Sequence, residues 1–187
     1  MKKRCNILKV HEEHKHEAHK KMELHIAFVV VSTSRFKELD AHKESSDKSI
    51  PLVQKILDKS PNIHLTHSKI IPDSIDLLEL ALDEYMTIET IDAIIFSGGT
   101  GLSPKDITFE TIQPQLEKEI PGFGELFRYL SFKEIGSAAM LSRAISGKLG
   151  NKVIFLLPGS PNAVKLALEE LIIPELPHMI YIINKEE

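Results

Sequence analysis

Short apolar segments that end in small polar residues or proline constrain the fold of this chain most strongly. The first, residues 24–31 (LHIAFVVV), is rich in β-branched residues and ends at Ser32-Thr33-Ser34. A run of this kind is typical of a strand that is covered on both faces in a parallel sheet. The same reasoning predicts further strands over residues 63–71, 91–96 and 153–157.

Segments with helical periodicity follow these strands, whereas residues 32–46 are polar and are predicted to form a loop. Apolar side chains spaced three or four residues apart indicate helices that pack one face on a sheet. A last helix is expected to end near Ile183. Alternating strands and helices predict a three-layer α/β/α domain with a mainly parallel sheet. The apolar positions that mark the helices are Ile50, Val53, Ile56, Leu57; Ile75, Leu78, Leu82, Tyr85; and Val164, Leu168, Leu171, Ile172.

Residues 1–23 differ from the rest in composition and are interpreted as an extension outside a single domain of residues 24–187. They contain seven Lys or Arg and four Glu, which leaves a net charge of −7 for residues 24–187 against −4 for the whole chain. An acidic body does not favour nucleic acid as a partner. The histidines of the extension would not share one helical face, so a solvated tail is preferred to a metal site; they are His11, His14, His16 and His19.

The sequence also predicts the cellular compartment of the protein. No segment approaches the roughly 20 apolar residues of a membrane-spanning helix, and the first residues lack the apolar run of a signal peptide. Cys5 is the only cysteine, so no disulfide framework is possible within one chain. These features predict a cytoplasmic protein without membrane association.

A glycine-rich loop directly after the third predicted strand is the first candidate for chemistry. Gly98, Gly99 and Gly101 allow backbone amides to approach an anion closely, and the Thr100 hydroxyl adds a donor. The loop matches neither the dinucleotide-binding GxGxxG pattern nor the P-loop GxxxxGK[ST] pattern. A plain tight turn between strand and helix is the alternative.

Two aspartates are predicted to lie at the same edge of the sheet, because ligands of such sheets bind beyond the carboxyl ends of the strands. Asp106 follows the glycine loop closely, and Asp73 follows the second strand. Carboxylates beside bound phosphates would require a cation, and Mg²⁺ is typically held by one or two carboxylates plus phosphates. The alternative for each aspartate is a helix N-cap.

Two further segments complete the candidate site. Pro158, Gly159 and Ser160 follow the fourth strand and could bind an anion or a ring at a helix N-terminus. Ser137 and Ser142 lie in a segment of small residues that would permit close approach of a substrate. Packing alone explains that segment equally well.

Several motifs, in order, resemble one known family. The segments "IPDS", "SGGTGLSPKDIT", "PGFGELFR", "SAAMLSRAISG" and "PGSPNAV" are similar to those of the molybdenum-cofactor biosynthesis MogA/MoaB proteins and the related G-domains of gephyrin-like proteins. The resemblance covers residues 24–183. It implies a molybdopterin-binding fold that assembles as a trimer or a dimer of trimers.

The resemblance also implies an activity, the Mg²⁺-dependent transfer of AMP from ATP to molybdopterin. Asp73 and Asp106 would be the functional aspartates and metal ligands, and residues 98–101 would bind nucleotide phosphate. Pro158, Gly159 and Ser160 would line the nucleotide or pterin pocket, and Ser137 and Ser142 would contact the pterin. A non-catalytic molybdopterin-binding scaffold or delivery protein is the alternative.

Two other features concern partners and departures from the family pattern. Apolar residues after the Pro121-Gly122 turn exceed what one core contact needs and favour an oligomer; they are Leu126, Phe127, Leu130 and Phe132. Where the family often has Ser-Asp-Arg after the first strand, this chain has Ser32-Thr33-Ser34-Arg35. Ser49 stands where a glycine is common after the acidic residue that matches Asp47.

Overall fold

A computed structural model describes residues 23–41 and 45–185, so the predicted extension at residues 1–23 lies outside the described residues except for Glu23. The described chain forms one six-stranded sheet of order β2-β1-β3-β6-β5-β4. Strands β2, β1, β3 and β6 are parallel to one another. β5 pairs antiparallel with β6, and β4 pairs antiparallel with β5. The mainly parallel sheet is therefore confirmed. The strands are β1 Leu24–Val31, β2 Ile63–Ile71, β3 Ala93–Ser97, β4 Lys118–Glu119, β5 Ile145–Leu149 and β6 Lys152–Leu157.

The helices cover both faces of this sheet. A 3₁₀ segment at Gln113–Gln115 follows α4, and another at Gly136–Leu141 follows α5. A π-helical segment at Leu168–Ile172 joins α6 to α7. The helices are α1 Thr33–Asp40, α2 Ser49–Leu57, α3 Ile75–Thr87, α4 Thr108–Ile112, α5 Pro121–Ile135, α6 Pro161–Ala167 and α7 Ile173–Ile183.

Two apolar clusters, one on each face of the sheet, give the domain its three layers. One cluster joins alternate β1 residues to α2, α5, α6 and α7. The other joins the remaining β1 residues to α3 and α4. In α3, Leu78, Leu82 and Tyr85 are buried as predicted, but Ile75 is 53% exposed because it begins the helix at the edge of the sheet. Burial on both faces explains why the central strands are so uniformly apolar.

The predicted loop over residues 32–46 was wrong in its first part, because residues 33–40 form helix α1. Ser32 caps this helix, its Oγ accepting a hydrogen bond from the Arg35 amide at 3.5 Å. None of the α1 residues is buried. An exposed polar helix lacks the apolar stripe that reveals helices in a sequence.

Strands β4 and β5 were not predicted from the sequence. β5 pairs antiparallel with β6 through a tight turn at Gly150, whose φ is +56°. The small residues of the segment 136–147 thus enter a 3₁₀ turn and an inner strand.

No helix within residues 23–41 and 45–185 has the length and apolar character needed to cross a bilayer.

Candidate active site

A cavity of about 770 Å³ lies where β1, β3 and β6 end, at the carboxyl edge of the sheet. Because these strands are neighbours, the loops that follow them meet there. Ser137 does not line the cavity and is exposed at the surface. The predicted site residues that do line it are Asp73, Gly98, Gly99, Thr100, Gly101, Asp106, Ser142, Pro158, Gly159 and Ser160.

The glycine loop leaves β3 in a conformation that requires glycine. Gly98 has φ +111° and Gly99 has φ +62°. A Cβ at Gly98 would lie 2.2 Å from the carbonyl oxygen of Val31, and one at Gly159 would lie 3.2 Å from the Gly98 Cα. The three loops after β1, β3 and β6 therefore touch through backbone atoms, which leaves no room for side chains between them.

The amides of this loop are available to a ligand. Within the described residues, the N–H groups of Gly99, Thr100, Gly101 and Leu102 have no hydrogen-bond acceptor, whereas Gly98 N donates to the Leu157 carbonyl at 3.0 Å. Consecutive free amides beside a cavity form an anion-binding concavity. The loop therefore has the free donors that binding of an anion would require.

Asp73 is held against this loop by Thr33, the first residue of helix α1. Its Oδ2 accepts hydrogen bonds from Thr33 N at 3.0 Å and Thr33 Oγ1 at 2.7 Å, and Asp73 N donates to Thr33 Oγ1 at 3.0 Å. Ser74 occupies the N-cap position of α3, so the N-cap alternative for Asp73 was wrong. A Cβ at Gly99 would lie 3.2 Å from Asp73 Oδ1, which places the free carboxylate oxygen beside the loop.

Asp106 lies against the other end of the loop. Its Oδ2 accepts a hydrogen bond from Ser103 N at 3.0 Å and would lie 2.8 Å from a Cβ at Gly101. Ile107 occupies the N-cap position of α4, without a side-chain cap, so the N-cap alternative for Asp106 was also wrong. The two aspartates therefore contact the glycine loop at positions two residues apart.

The carboxylates of Asp73 and Asp106 fit a hard divalent cation whose coordination would be completed by substrate oxygens. Asp73 Oδ1 and Asp106 Oδ1 accept no hydrogen bond within the described residues, so each aspartate has a carboxylate oxygen to offer. No group of three or more His, Cys, Asp or Glu suited to a metal occurs among the residues that the structure describes. Mg²⁺ commonly binds one or two carboxylates together with phosphates and water, and these residues meet that requirement.

Arg143 supports the loop from outside the cavity, and sequence reasoning did not assign it this function. Its Nε donates to the Thr100 carbonyl at 2.9 Å and its Nη2 to the Gly101 carbonyl at 2.5 Å. Since N–H and C=O of a trans peptide point in opposite directions, this holds the amides of Gly101 and Leu102 away from Arg143. Its guanidinium also lies 4.7 Å from the Phe109 ring centroid.

Glu110 completes this arrangement by forming a bidentate ion pair with Arg143. The hydrogen bond from Arg143 lowers the pKa of the Glu110 carboxyl below its usual value. The stabilisation from this pair is present above the pKa of an unfolded glutamate and is lost as the pH falls through the lowered folded value. Because Glu110 is exposed, its main effect is to fix the guanidinium rather than to stabilise the fold.

The remaining predicted residues form other parts of the wall. Ser160 caps α6, its Oγ accepting from Ala163 N at 3.2 Å, and Ser97 Oγ donates to the Pro158 carbonyl at 3.2 Å. Ser142 Oγ accepts from Ala144 N at 3.3 Å. Apolar residues also line the cavity; they include Phe127, Ile135, Ala138, Ala139 and Leu141. A flat ring carrying phosphates matches this combination of polar and apolar lining.

Comparison with known proteins identifies the family. Residues 27–178 match the model of the MoCF_biosynth family, described as "Probable molybdopterin binding domain". The chain belongs to this family. The resemblance suggested by the sequence motifs is thus confirmed.

Individual relatives of this molybdopterin-binding domain agree. The chain is 41% identical over 179 residues to molybdenum cofactor biosynthesis protein B of Staphylococcus epidermidis, covering 92% of this chain and 98% of that one. It is 40% identical to the Bacillus cereus protein of the same name, with 93% and 98% covered. The crystal structure of a tungsten cofactor synthesizing protein MoaB from Pyrococcus furiosus aligns with a TM-score of 0.76 at 35% identity, covering 88% of this chain and 99% of that chain. The predicted α/β fold is confirmed by that alignment.

Proposed function

We propose that this protein acts in molybdenum or tungsten cofactor biosynthesis in the cytoplasm and transfers AMP from ATP to molybdopterin, releasing pyrophosphate. One observation supports the chemistry most directly: residues 99–102 carry four free amides, and the carboxylates of Asp73 and Asp106 lie beside Gly99 and Gly101 of the same loop. The names of the relatives support the pathway. A loop of this kind suits phosphates that must be held in a fixed position.

In the proposed reaction, an oxygen of the terminal phosphate of molybdopterin attacks the α-phosphorus of ATP. A new P–O bond forms, and the bond between the α-phosphorus and the pyrophosphate oxygen breaks. Phosphoryl and nucleotidyl transfers of this type depend on positioning and electrostatic stabilisation more than on covalent catalysis. Mg²⁺ held by Asp73 and Asp106 would neutralise charge on the phosphates.

The chain's own residues have distinct functions in this proposal. The free amides of residues 99–102 bind phosphate oxygens of the nucleotide. Asp73 has Oδ2 engaged by Thr33, so Oδ1 is the oxygen that faces the site. The apolar wall around Phe127 and Leu141 excludes water from one side of the substrates.

Incubation of the protein with molybdopterin, ATP and Mg²⁺ tests the proposal. We expect adenylyl-molybdopterin and one equivalent of pyrophosphate, detected by mass spectrometry and a coupled pyrophosphate assay. Molybdopterin binding without pyrophosphate release would instead identify a scaffold or delivery protein. A reaction mixture that lacks molybdopterin controls for simple ATP hydrolysis.

Replacing Arg143 by Met should raise the KM for ATP by about tenfold, the cost of losing one or two charge-assisted hydrogen bonds. The two carbonyls of residues 100 and 101 would lose their donors, so the loop amides would be less well oriented. Steady-state kinetics should show a smaller change in the KM for molybdopterin. Arg143→Lys should recover part of the affinity, because one ammonium donor remains.

Lys148→Met is a matched control for Arg143→Met, because Lys148 forms an ion pair with Glu117 away from the cavity. It should leave both KM values unchanged. An equal rise in the KM for ATP and for molybdopterin in Arg143→Met, or none, would contradict a specific effect on the glycine loop.

We propose that copies of the chain associate through the outer face of α5, as a trimer or a dimer of trimers. Of the apolar residues that predicted this, Phe127 is buried in the core and Leu130 packs against it. Leu126 and Phe132 are 54% and 58% exposed. Exposed apolar residues nearby extend the surface; they are Tyr129, Ile135, Met140 and Leu141. A contiguous apolar surface of this kind is typical of an interface.

Light scattering at micromolar concentration should therefore give a mass of three or six chains of 21.1 kDa. The double variant Leu126→Ser, Phe132→Ser should dissociate toward the monomer. Leu80→Ser, which changes a 59% exposed leucine on α3, should not alter the mass. A wild-type monomer would refute the proposed interface.

A further inference from the structure

A second polar surface of the cavity lies next to the glycine loop and has no function in the proposal above. It is formed by Ser32, Ser34 and Arg35, which follow β1, and β1 is the direct neighbour of β3. Of the described residues that line the cavity, Arg35 is the only one with a positive charge. A guanidinium that faces a cavity used for phosphorylated compounds requires an explanation.

Asp47 fixes the position of Arg35 through an ion pair. Asp47 Oδ1 lies 3.5 Å from Arg35 Nη1, and the Asp47 side chain is only 3% exposed. The other carboxylate oxygen, Oδ2, accepts a hydrogen bond from Ile50 N at 2.8 Å, in the first turn of α2. The negative charge of Asp47 is therefore shared between Arg35 and a helix N-terminus, which leaves the guanidinium only partly neutralised.

Most hydrogen-bond donors of Arg35 are unused. A guanidinium has five N–H groups. No hydrogen bond from this side chain to another described residue is present, and the ion pair with Asp47 at 3.5 Å is long. The Arg35 side chain is 25% exposed and lines the cavity, so it is partly buried but accessible to a ligand there.

Serine hydroxyl groups line the same cavity as Arg35. Ser32 Oγ and Ser34 Oγ are 3.2 Å apart, and both residues line the cavity. Ser46 also lines it, but its N and Oγ donate to the Glu38 carboxylate at 2.7 and 3.0 Å. One of the Ser32 and Ser34 hydroxyls donates to the other, which leaves one hydroxyl proton for a ligand, whereas Ser46 is engaged by Glu38 of α1.

The departure of this chain from the Ser-Asp-Arg pattern makes the surface more favourable for an anion. The segment Ser32-Thr33-Ser34-Arg35 contains no acidic residue, and the Thr33 amide and hydroxyl both donate to Asp73 Oδ2. Residues 32–34 thus add no negative charge beside Arg35; the carboxylates nearby are those of Asp47, which is paired with Arg35, and of Asp73, which accepts from Thr33. A tetrahedral anion placed there would meet a guanidinium and two hydroxyls rather than a carboxylate from this loop.

We propose that Arg35, held by Asp47, forms with Ser32 and Ser34 an anion subsite that binds the phosphate monoester of the second substrate, separate from the nucleotide subsite of the glycine loop. The assignment rests on the proposed function, in which a terminal phosphate must approach bound ATP. An Arg can bind two phosphate oxygens at once, which fixes the direction of the third. This orients the attacking oxygen.

Binding of inorganic phosphate to protein saturated with α,β-methylene-ATP tests the subsite without turnover. Isothermal titration should show phosphate binding to the wild type, with Kd raised about 10- to 100-fold in Arg35→Met, as expected for lost hydrogen bonds to a charged group. Arg35→Lys should fall between the two. Lys37→Met is the matched control, because Lys37 lies exposed on the same helix and does not line the cavity.

The affinity of the Arg35 variant for ATP shows whether Arg35 binds a phosphate of the nucleotide or the phosphate of the second substrate. We expect the Kd for ATP to change less than about twofold in Arg35→Met, a difference below 0.5 kcal/mol. Loss of ATP affinity by the same factor as phosphate affinity would show that Arg35 binds the nucleotide, and equal phosphate affinity in Arg35→Met and Lys37→Met would show no subsite. Either result overturns the proposal.

The titrations also separate this proposal from the proposed function. Circular dichroism melting of each variant verifies that the fold is intact. If the nucleotide analogue fails to bind, adenylyl transfer is refuted, while phosphate binding to the nucleotide-free protein still reports on Arg35. If adenylyl transfer occurs but Arg35→Met retains phosphate affinity, only the subsite is wrong.

Discussion

Asp106→Asn should lower the rate of adenylyl transfer by about 10²-fold or more, the scale of removing one preorganised electrostatic group. The substitution preserves the size of the side chain and an oxygen that can accept the hydrogen bond from Ser103 N. It removes one negative charge beside the glycine loop, where a carboxylate oxygen remains free. Single-turnover measurements of pyrophosphate release at limiting Mg²⁺ should detect the loss, while molybdopterin binding persists.

Raising the Mg²⁺ concentration should restore part of the activity of Asp106→Asn, because a weakened metal site can be refilled by mass action. Asp76→Asn is the control, since Asp76 is an exposed aspartate in the first turn of α3 and does not line the cavity. Its activity should equal that of the wild type. Near-normal activity of Asp106→Asn at limiting Mg²⁺ would contradict the assignment of Asp106 to the metal.

The central strands could be predicted from the sequence because burial on both faces leaves a strong local signal. The predicted bounds of β1 and β2 are those of the structure, and the strand predicted over residues 91–96 is observed at Ala93–Ser97. Ile91 is buried beside the turn before β3, so its apolar character indicates the core rather than the strand. Apolar runs therefore located the sheet well and its edges less precisely.

Elements without such burial left no comparable signal. Helix α1 buries none of its residues, and β4 consists of two exposed residues. β5 contains Ser146 and Gly147, which are buried although neither is apolar. These elements depend on contacts with neighbours that are distant in the sequence, so periodicity alone could not identify them.

The candidate site likewise combines features that leave a local signal in the sequence with features that do not. Its loops could be placed together from the sequence because a parallel sheet brings strand ends to one edge. The residues that support the site could not be predicted in this way. Arg143 and Thr100 are 43 residues apart in the sequence, and Thr33 and Asp73 are 40 residues apart. Ser137 differs from the other predicted site residues: its motif is similar to the family's, yet it is exposed and does not line the cavity.

Gly98→Ala should abolish measurable adenylyl transfer and reduce the free energy of unfolding by at least about 2 kcal/mol. Two independent costs apply at this position. The backbone has φ +111°, which side chains other than glycine rarely adopt, and the new Cβ would lie 2.2 Å from the Val31 carbonyl oxygen. The new Cβ would clash with a backbone atom at the carboxyl end of β1, an inner strand of the sheet. Neither atom can move without displacing β1 or the loop.

Gly150→Ala separates these two costs, because Gly150 also has a positive φ, of +56°, but its new Cβ would meet only the flexible Met86 Cε, at 3.2 Å. It should lose about 1 kcal/mol of stability and retain full activity, since the turn between β5 and β6 is remote from the cavity. Denaturant unfolding and pyrophosphate release, measured on both variants, provide the comparison. If Gly98→Ala folds with the stability of Gly150→Ala and remains active, the close packing of the loops after β1 and β3 is not needed to hold the phosphate-binding amides in place.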